Sequence, residues 1–269
     1  MLKAGIFLDI ENLVRCGGWG IRYRVVRKLV EAQGAIVLRA NAYMAIDSER
    51  EEKDIDYKRK KQEYRDAVRR ESFHLVLKKV QRYKNSEGDI ITKANADLDL
   101  AIDALLQADN LDYILLGSGD GDFFRLVRAL QNKGKRVDLL SFSNTSEILR
   151  CEVDNHFSGY LVPEILPSID NSSRVRGVMH VFNEEKGFAF LGVRTGLGVL
   201  DMRDDIFCHI SDFRHRDGRI VTDQSFAQLK TQQKIIEFEL VERSDGKVKA
   251  VNATEFEPEV RCAEGPPQC

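Results

Sequence analysis

No stretch of the sequence approaches the ~18 uninterrupted apolar residues that a membrane-spanning helix needs, so no helical membrane span is expected. There is no CxxC pair either. The five cysteines, Cys16, Cys151, Cys208, Cys262 and Cys269, are odd in number and scattered. That argues against a disulfide frame and a zinc site, and for free thiols in a reducing, cytoplasmic setting. The chain has little net charge, −2 in 269 residues. No global field therefore dictates a nucleic-acid or membrane partner, although a local patch still could. The opening MLKAGIFLDIEN turns acidic too soon, after too short an apolar run, to read as a signal peptide. Internal repeats and low-complexity tracts are absent. What remains is an ordinary globular balance, 43% hydrophobic and 31% charged, in a length that suits one large domain or two smaller ones.

The first ~160 residues alternate strand-like and helix-like segments. Strands are predicted at AGIFLDI (4–10), AIVLRANAYMA (35–45), FHLVLKKV (73–80), YILLG (113–117) and RVDLLSF (136–142). Helices are predicted at 21–34, ending on Gly34, at 48–71, at 97–108 with Leu98, Ile102 and Leu105 on one face, at DFFRLVRALQNKG (122–134), and over TSEILRCEVDNHFSGY (145–160). Such alternation predicts an α/β fold, a parallel Rossmann-like sheet covered by helices on both faces. Ligands in such sheets bind beyond the carboxyl ends of the strands, where strand order reverses. Pro163, Pro167 and the run DNSS (170–173) suggest a linker. After it come five short alternating runs, RVRGVMHVF, GFAFLGV, DIFCHI, KIIEFELVE and KVKAVNATEF, which predict a small antiparallel barrel. The expected organisation is an α/β domain at 1–162, a linker at 163–173, a barrel at 174–257 and a disordered tail at 258–269.

YILLGSGDGDFFRLV (113–127) raises the chemical question. Asp120 and Asp122 straddle a glycine just after a buried strand, and Asp9 ends the first strand. On one edge of a parallel sheet all three can converge. Asp97 begins the helix 97–108, and Asp103 is ~240° away from it around that helix, so only one of the two is expected to face a common site. Asp97 and Asp120 could also be plain helix caps, worth ~1 kcal/mol without any function. For Asp9, at a strand tip, that role is not expected. Carboxylates gathered there repel one another unless a divalent cation removes the cost. Mg²⁺ or Mn²⁺ accepts carboxylate and water oxygens, polarises a phosphoryl oxygen and activates water.

Residues 53–84 carry twelve Lys/Arg against five Asp/Glu, a surplus of seven in a chain that is nearly neutral. This is either a solvated helical face laced with i,i+4 pairs or a patch that tracks phosphates. Tyr57, Tyr64 and Tyr83 lie within it and either pack or stack bases. In the barrel, Phe188 and Phe190 share one face of a strand, with Lys186 nearby, and Phe207 and His209 share a face of another. Those aromatics are core, or an exposed stacking platform for single-stranded nucleic acid. Lys93 contacts a phosphate or is a solvated loop lysine.

Three motifs then carry a resemblance. FLDIENL (7–13), KANADLDLAIDALL (93–106) and GSGDGDFFRLVRALQNKGKRV (117–137) resemble, in order and spacing, the motifs of NYN domains, a PIN-like nuclease group. The resemblance covers ~150 residues. It implies a metal-dependent cleft for RNA hydrolysis, in which Asp9, Asp97, Asp120 and Asp122 hold Mg²⁺ or Mn²⁺ while Asn12 and Ser118 orient the site or the phosphate. KGFAF (186–190) and IFCHIS (206–211) resemble the two RNA-binding motifs of cold-shock domains, which are OB-fold barrels. That resemblance implies single-stranded RNA held by Lys186, Phe188, Phe190, Phe207 and His209. Val181 stands where that family usually has tryptophan, and Ile210 where it often has phenylalanine. Each change removes stacking worth roughly 1–3 kcal/mol per base, so weaker or more selective binding is expected.

The expected function is a metal-dependent ribonuclease with an attached RNA-binding barrel, with no membrane partner and with oligomerisation left open. The alternative is a non-catalytic RNA-binding adaptor. A phosphohydrolase with Asp9 as nucleophile ranks last, because Glu11, not Asp, follows two residues later.

Overall fold

The structure, a computed structural model, describes residues 1–84, 90–93, 96–167, 174–215, 217–242 and 246–258, with only the backbone for 81–84 and 90–93. The chain divides into two compact units, the first running through Gly159 and the second starting at Tyr160.

The first unit is built on a six-stranded, all-parallel sheet. Its strands are β1 (Leu2–Asp9), β2 (Ala35–Ile46), β3 (His74–Lys79), β6 (Tyr113–Gly117), β7 (Arg136–Ser141) and β8 (Asn155–Ser158), in the order β3-β2-β1-β6-β7-β8. A separate antiparallel hairpin is formed by β4 (Gln81–Lys84) and β5 (Ile90–Lys93). Strand order reverses between β1 and β6, so the switch point lies where Asp9 and Ser118 leave the sheet. Both faces of β1 are covered: Ile6, Phe7 and Leu8 are all fully buried, and neighbouring residues of a strand point to opposite faces. Phe7 packs with Leu100, Leu116, Leu126 and Leu139 in one core. Helix α2 (Tyr23–Glu31) buries Val26, Leu29 and Val30 at helical spacing.

Four segments differ from the sequence reading. The helix expected over 48–71 is two, α3 (Ser48–Lys53) and α4 (Ile55–Arg70). Asp54 breaks it: its backbone is extended, and its carboxylate accepts from the Tyr57 N–H at 2.8 Å, which starts a new helix. Helix α5 (Asp97–Gln107) does not bury Leu98 and Ile102, which are 65% and 45% exposed. It packs Leu100 and Ala104 instead, continuing to Ala108, because small residues let the helix approach the sheet closely. The segment 145–160 is a short helix α7 (Glu147–Glu152) followed by β8, which adds a sixth parallel strand beside β7. The segment 122–134 begins with a 3-10 turn, Gly121–Phe123, before α6 (Phe124–Asn132).

In the second unit, β9 (Val175–Asn183), β10 (Phe188–Arg194), β11 (Met202–His209), β12 (Ile235–Glu242) and β13 (Val248–Glu255) close into a barrel, in the order β10-β11-β13-β12-β9. This five-stranded closure is consistent with an OB-like domain. Its pairs are antiparallel except β11 with β13, which run parallel where the barrel shuts. Met179, Leu191, Ile206, Phe238 and Ala250 fill the interior. The sequence reading missed α8 (Asp223–Thr231), which Thr222 caps by accepting from the Ser225 N–H; its Phe226 and Leu229 join that core. Tyr160 packs on Phe256 with ring centroids 5.1 Å apart, and Val162 and Ile165 are buried. The run DNSS and the tail beyond Pro258 lie outside the described residues. Among the described residues no helix is long and apolar enough to cross a membrane.

Candidate functional site

Strand β1 delivers Asp9 to the carboxyl edge of the sheet at the switch point, where it is 7% exposed. Its Oδ1 accepts from the Asn12 N–H at 3.1 Å, so Asp9 is also the N-cap of the short helix α1 (Ile10–Arg15). A strand-tip aspartate was expected to have no capping role. It has one because α1 starts at the next residue, with no intervening loop. The other oxygen, Oδ2, accepts from the Ser118 hydroxyl at 3.2 Å. Ser118, fully buried, in turn accepts from the Asp120 N–H at 3.2 Å. Asp120 caps the 3-10 turn by accepting from the Asp122 N–H at 3.0 Å. Asn12 reaches across and accepts from the Gly119 N–H at 2.7 Å. One network therefore ties the end of β1 to GSGDGD. Asp120 is half-buried and Asp122 is exposed.

The glycines are there for close approach. Gly117 stands opposite Leu8, and a Cβ on it would collide with the Leu8 side chain. A Cβ on Gly119 would sit 3.3 Å from the Thr145 Cα and 3.4 Å from the Asn144 carbonyl. The Ser146 N–H bonds the Gly119 carbonyl at 2.9 Å, which seats this turn against the 142–146 loop.

Asp97 enters from α5. It is the first helical residue, while Ala96 is the N-cap and makes no side-chain capping bond, so Asp97 is not the cap it could have been. Burial, reinforced by Asp120 and Asp122, raises its pKa, and Arg15 opposes the shift. Burial also pushes Asp9 up to about 6, with Asp97 and Glu11 adding to it and the Asn12 and Ser118 hydrogen bonds lowering it. The four aspartates thus share one electrostatic neighbourhood. Asp103 does not join them, because it accepts from the Tyr43 hydroxyl at 2.9 Å. Glu11 accepts from the Ala45 N–H at 3.3 Å.

Among the described residues, no group of three or more His, Cys, Asp or Glu side chains gathers tightly enough to hold a metal by itself. The residues still fit a hard cation. Asp9 is a buried carboxylate whose hydrogen-bond donors are neutral and whose nearest charges include other carboxylates. Every side-chain donor offered is oxygen, and Mg²⁺ needs only one or two carboxylates when waters complete its shell.

The basic stretch separates into parts. Arg65 forms a buried ion pair with Glu51, which removes both from any patch. Lys78 pairs with Asp99 at 2.8 Å, Arg59 with Asp56 at 3.1 Å and Arg69 with Asp66 at 2.9 Å. Tyr64 is a packing residue, its hydroxyl 2.6 Å from that of Tyr23. Tyr57 lies under Arg50, 4.2 Å from its ring centroid. The side chains of Tyr83, Arg82, Lys84 and Lys93 lie outside the described residues.

The barrel aromatics face outward. Phe188, Phe190, Phe207 and His209 are half-exposed, while Ala189, Leu191, Ile206 and Cys208 between them are buried. Phe190 pairs with Phe207 across the strands and Phe188 with His209. The three phenyl rings cluster with centroids 5.4 to 6.2 Å apart. His209 Nδ1 accepts from the Ser211 N–H at 3.2 Å, which leaves the proton of the neutral ring on Nε2. Val181, opposite Phe190, is 42% exposed on the same surface. Lys186 is exposed, in the turn before β10.

Two features escaped the sequence reading. Arg15 stands near Asp97 and carried no signal beyond its place in the last turn of α1. His156 bonds the Ser141 hydroxyl at 2.8 Å, and burial lowers its pKa to about 4, so it is neutral.

Fold and site together define an all-parallel α/β protein with an oxygen-rich acidic site at its switch point, joined to an OB-like barrel. The chain belongs to the NYN domain family, whose model matches residues 3–161; members of that family are typically nucleases. No curated protein matches the chain. A crystal structure of a protein of unknown function from Vibrio parahaemolyticus is similar at 24% identity and a TM-score of 0.47, covering 63% of this chain and 94% of that one.

Proposed function

We propose that the protein is a metal-dependent ribonuclease whose barrel holds single-stranded RNA. The observation that supports this most is Asp9: a buried carboxylate at the switch point, bonded to Ser118, with Asp97, Asp120 and Asp122 around it. In this reading Asp9, Asp97, Asp120 and Asp122 would hold Mg²⁺ or Mn²⁺. Such a cation neutralises the carboxylates and the phosphate, and lowers the pKa of bound water. Asn12 and Ser118 fix the turn that presents Asp120. Water attacks phosphorus, Asp120 or Asp122 takes its proton, the phosphorus–oxygen bond to the leaving strand breaks, and the departing oxygen takes up a proton from solvent. The outward Phe188, Phe190 and Phe207 stack bases, with Lys186 and His209 alongside. A tethered barrel raises the local RNA concentration at the cleft. Cys16, Cys151 and Cys208 form no disulfide, which suits a cytoplasmic setting.

The second reading, a non-catalytic RNA adaptor, rests on the outward phenylalanine cluster of the barrel, which RNA binding uses and cleavage does not need. Cleavage of labelled single-stranded and structured RNAs separates the two. Cleavage that needs Mn²⁺ or Mg²⁺, stops in EDTA and is lost in Asp120→Asn supports the nuclease. Intact RNA that still binds, equally well in Asp120→Asn, supports the adaptor.

A further inference from the structure

The glycine-rich loop CGGWG (16–20) has no part in the site so far, yet it holds Trp19, the chain's one tryptophan, at 48% exposure. Tryptophan is on average one of the more buried residues, and exposure of this much indole is not a packing requirement. The loop that carries it is fixed. The Gly18 N–H bonds the Leu13 carbonyl at 2.8 Å, and the Ser143 N–H bonds the Cys16 carbonyl at 2.9 Å. A Cβ on Gly18 would stand 2.6 Å from the Phe142 ring and 2.8 Å from the Leu13 carbonyl, so only glycine fits. Gly17 and Gly20 take φ of +104° and +73°, and Ile21 anchors the exit at 6% exposure. The loop is held inward on both sides of Trp19, and Trp19 itself is left half exposed.

The loop begins beside the acidic site. The loop follows α1, which starts from Asp9 and contributes Asn12. It rests on residues 142–143, next to the turn that bonds Gly119 through Ser146. Cys16, its first residue, feels the charges of Asp9 and Asp120. Two exposed arginines, Arg15 and Arg22, flank the loop in sequence, while Tyr23 after the second turns inward to Tyr64. An exposed aromatic surface on a loop that exposed arginines bracket in sequence is the chemistry that receives a base and its phosphates together. A pre-set indole also loses little freedom on binding.

We propose that Trp19 is a stacking platform that receives a nucleobase of single-stranded RNA beside the acidic site, with Arg15 and Arg22 steering the backbone. This rests on the RNA reading of the protein, but not on cleavage. It makes the first unit a base-contacting surface in its own right, separate from the barrel.

The test uses full-length protein carrying Phe188→Ala and Phe207→Ala, in EDTA, titrated with a short labelled single-stranded RNA. RNA anisotropy and tryptophan emission are read in the same samples, and inorganic polyphosphate is the base-free control. The expected result is that emission falls in step with RNA binding and does not respond to polyphosphate. Trp19→Leu, which keeps an apolar surface without a stacking face, weakens RNA binding about 5- to 150-fold, and Trp19→Phe restores most of it. RNA binding with unchanged emission and an unchanged Trp19→Leu affinity overturns the proposal, as does complete loss of binding once the barrel phenylalanines are removed. Both of those outcomes leave the barrel's RNA binding standing. Failure of the unmodified protein to bind RNA at all overturns the RNA reading together with this one.

Discussion

Replacing Asp9 by asparagine is expected to stabilise the metal-free protein above pH 6. Burial holds the Asp9 carboxyl up at about 6, against an ordinary value of 3.8. The folded state therefore binds this proton more tightly than the unfolded chain does. That contribution is complete below the unfolded value and is lost as pH rises through about 6. The difference, about 2.2 pH units at 1.36 kcal/mol each, means that ionised Asp9 costs the fold about 3 kcal/mol at pH 8. Because Asp9 is 7% exposed, solvent screens little of this. Asparagine is nearly the same shape: its carbonyl accepts from the Asn12 N–H, and its amide donates to the Ser118 hydroxyl oxygen, which reverses that bond. For a unit of this size about 3 kcal/mol corresponds to roughly 6–12 °C in Tm. Trp19 lies in the first unit, so its fluorescence follows that unit during a melt. In EDTA, Asp9→Asn should melt above the parent protein at pH 8 and close to it at pH 4.5. Asp9→Asn melting below the parent at pH 8 would refute the reasoning, because Asp9 would then be a structural cap and not a strained charge.

Three further outcomes are expected. Val181→Trp places an indole on the exposed barrel face opposite Phe190 and should tighten single-stranded RNA binding about 5- to 150-fold, read by anisotropy. Arg65→Ala leaves Glu51 buried without its cation and should destabilise the first unit by about 3–5 kcal/mol, while Arg65→Met with Glu51→Leu should recover most of that in urea unfolding. Gly117→Ala should destabilise by about 1–3 kcal/mol in the same assay, because the added methyl collides with Leu8.

The parts of the fold legible in the sequence were those with a strong local signature. The apolar runs of β1 and β6 declared buried parallel strands, and with them the edge where Asp9 and Ser118 emerge. The alternation FAFLGV and IFCHI declared barrel strands, although not whether their phenylalanines faced in or out. Ala189 and Cys208 settle that by being the buried partners. Helix α5 was legible, but not the side it turns to the sheet, because two apolar stripes compete on it. Large Leu98 and Ile102 make the stronger pattern, but Leu100 and Ala104 make the closer fit to the sheet. The break at Asp54 was written in its capping relation to Tyr57 and hidden by the continuous charge around it. Strand β8 has four residues and little apolar pattern beyond Phe157, so only its pairing with β7 defines it. At the site, the aspartates were legible by type and spacing. The bond from Gly119 to Asn12, which joins residues 107 apart, was not, because no local pattern encodes it.

The most direct test of the central claim is Mn²⁺ binding to the full-length protein, measured by calorimetry or by the loss of the free-ion paramagnetic resonance signal, with no RNA present. The account predicts saturable binding that is lost in Asp9→Asn and in Asp120→Asn and survives in Phe207→Ala. Saturable binding that both aspartate variants retain, or no binding in the parent protein, would contradict it.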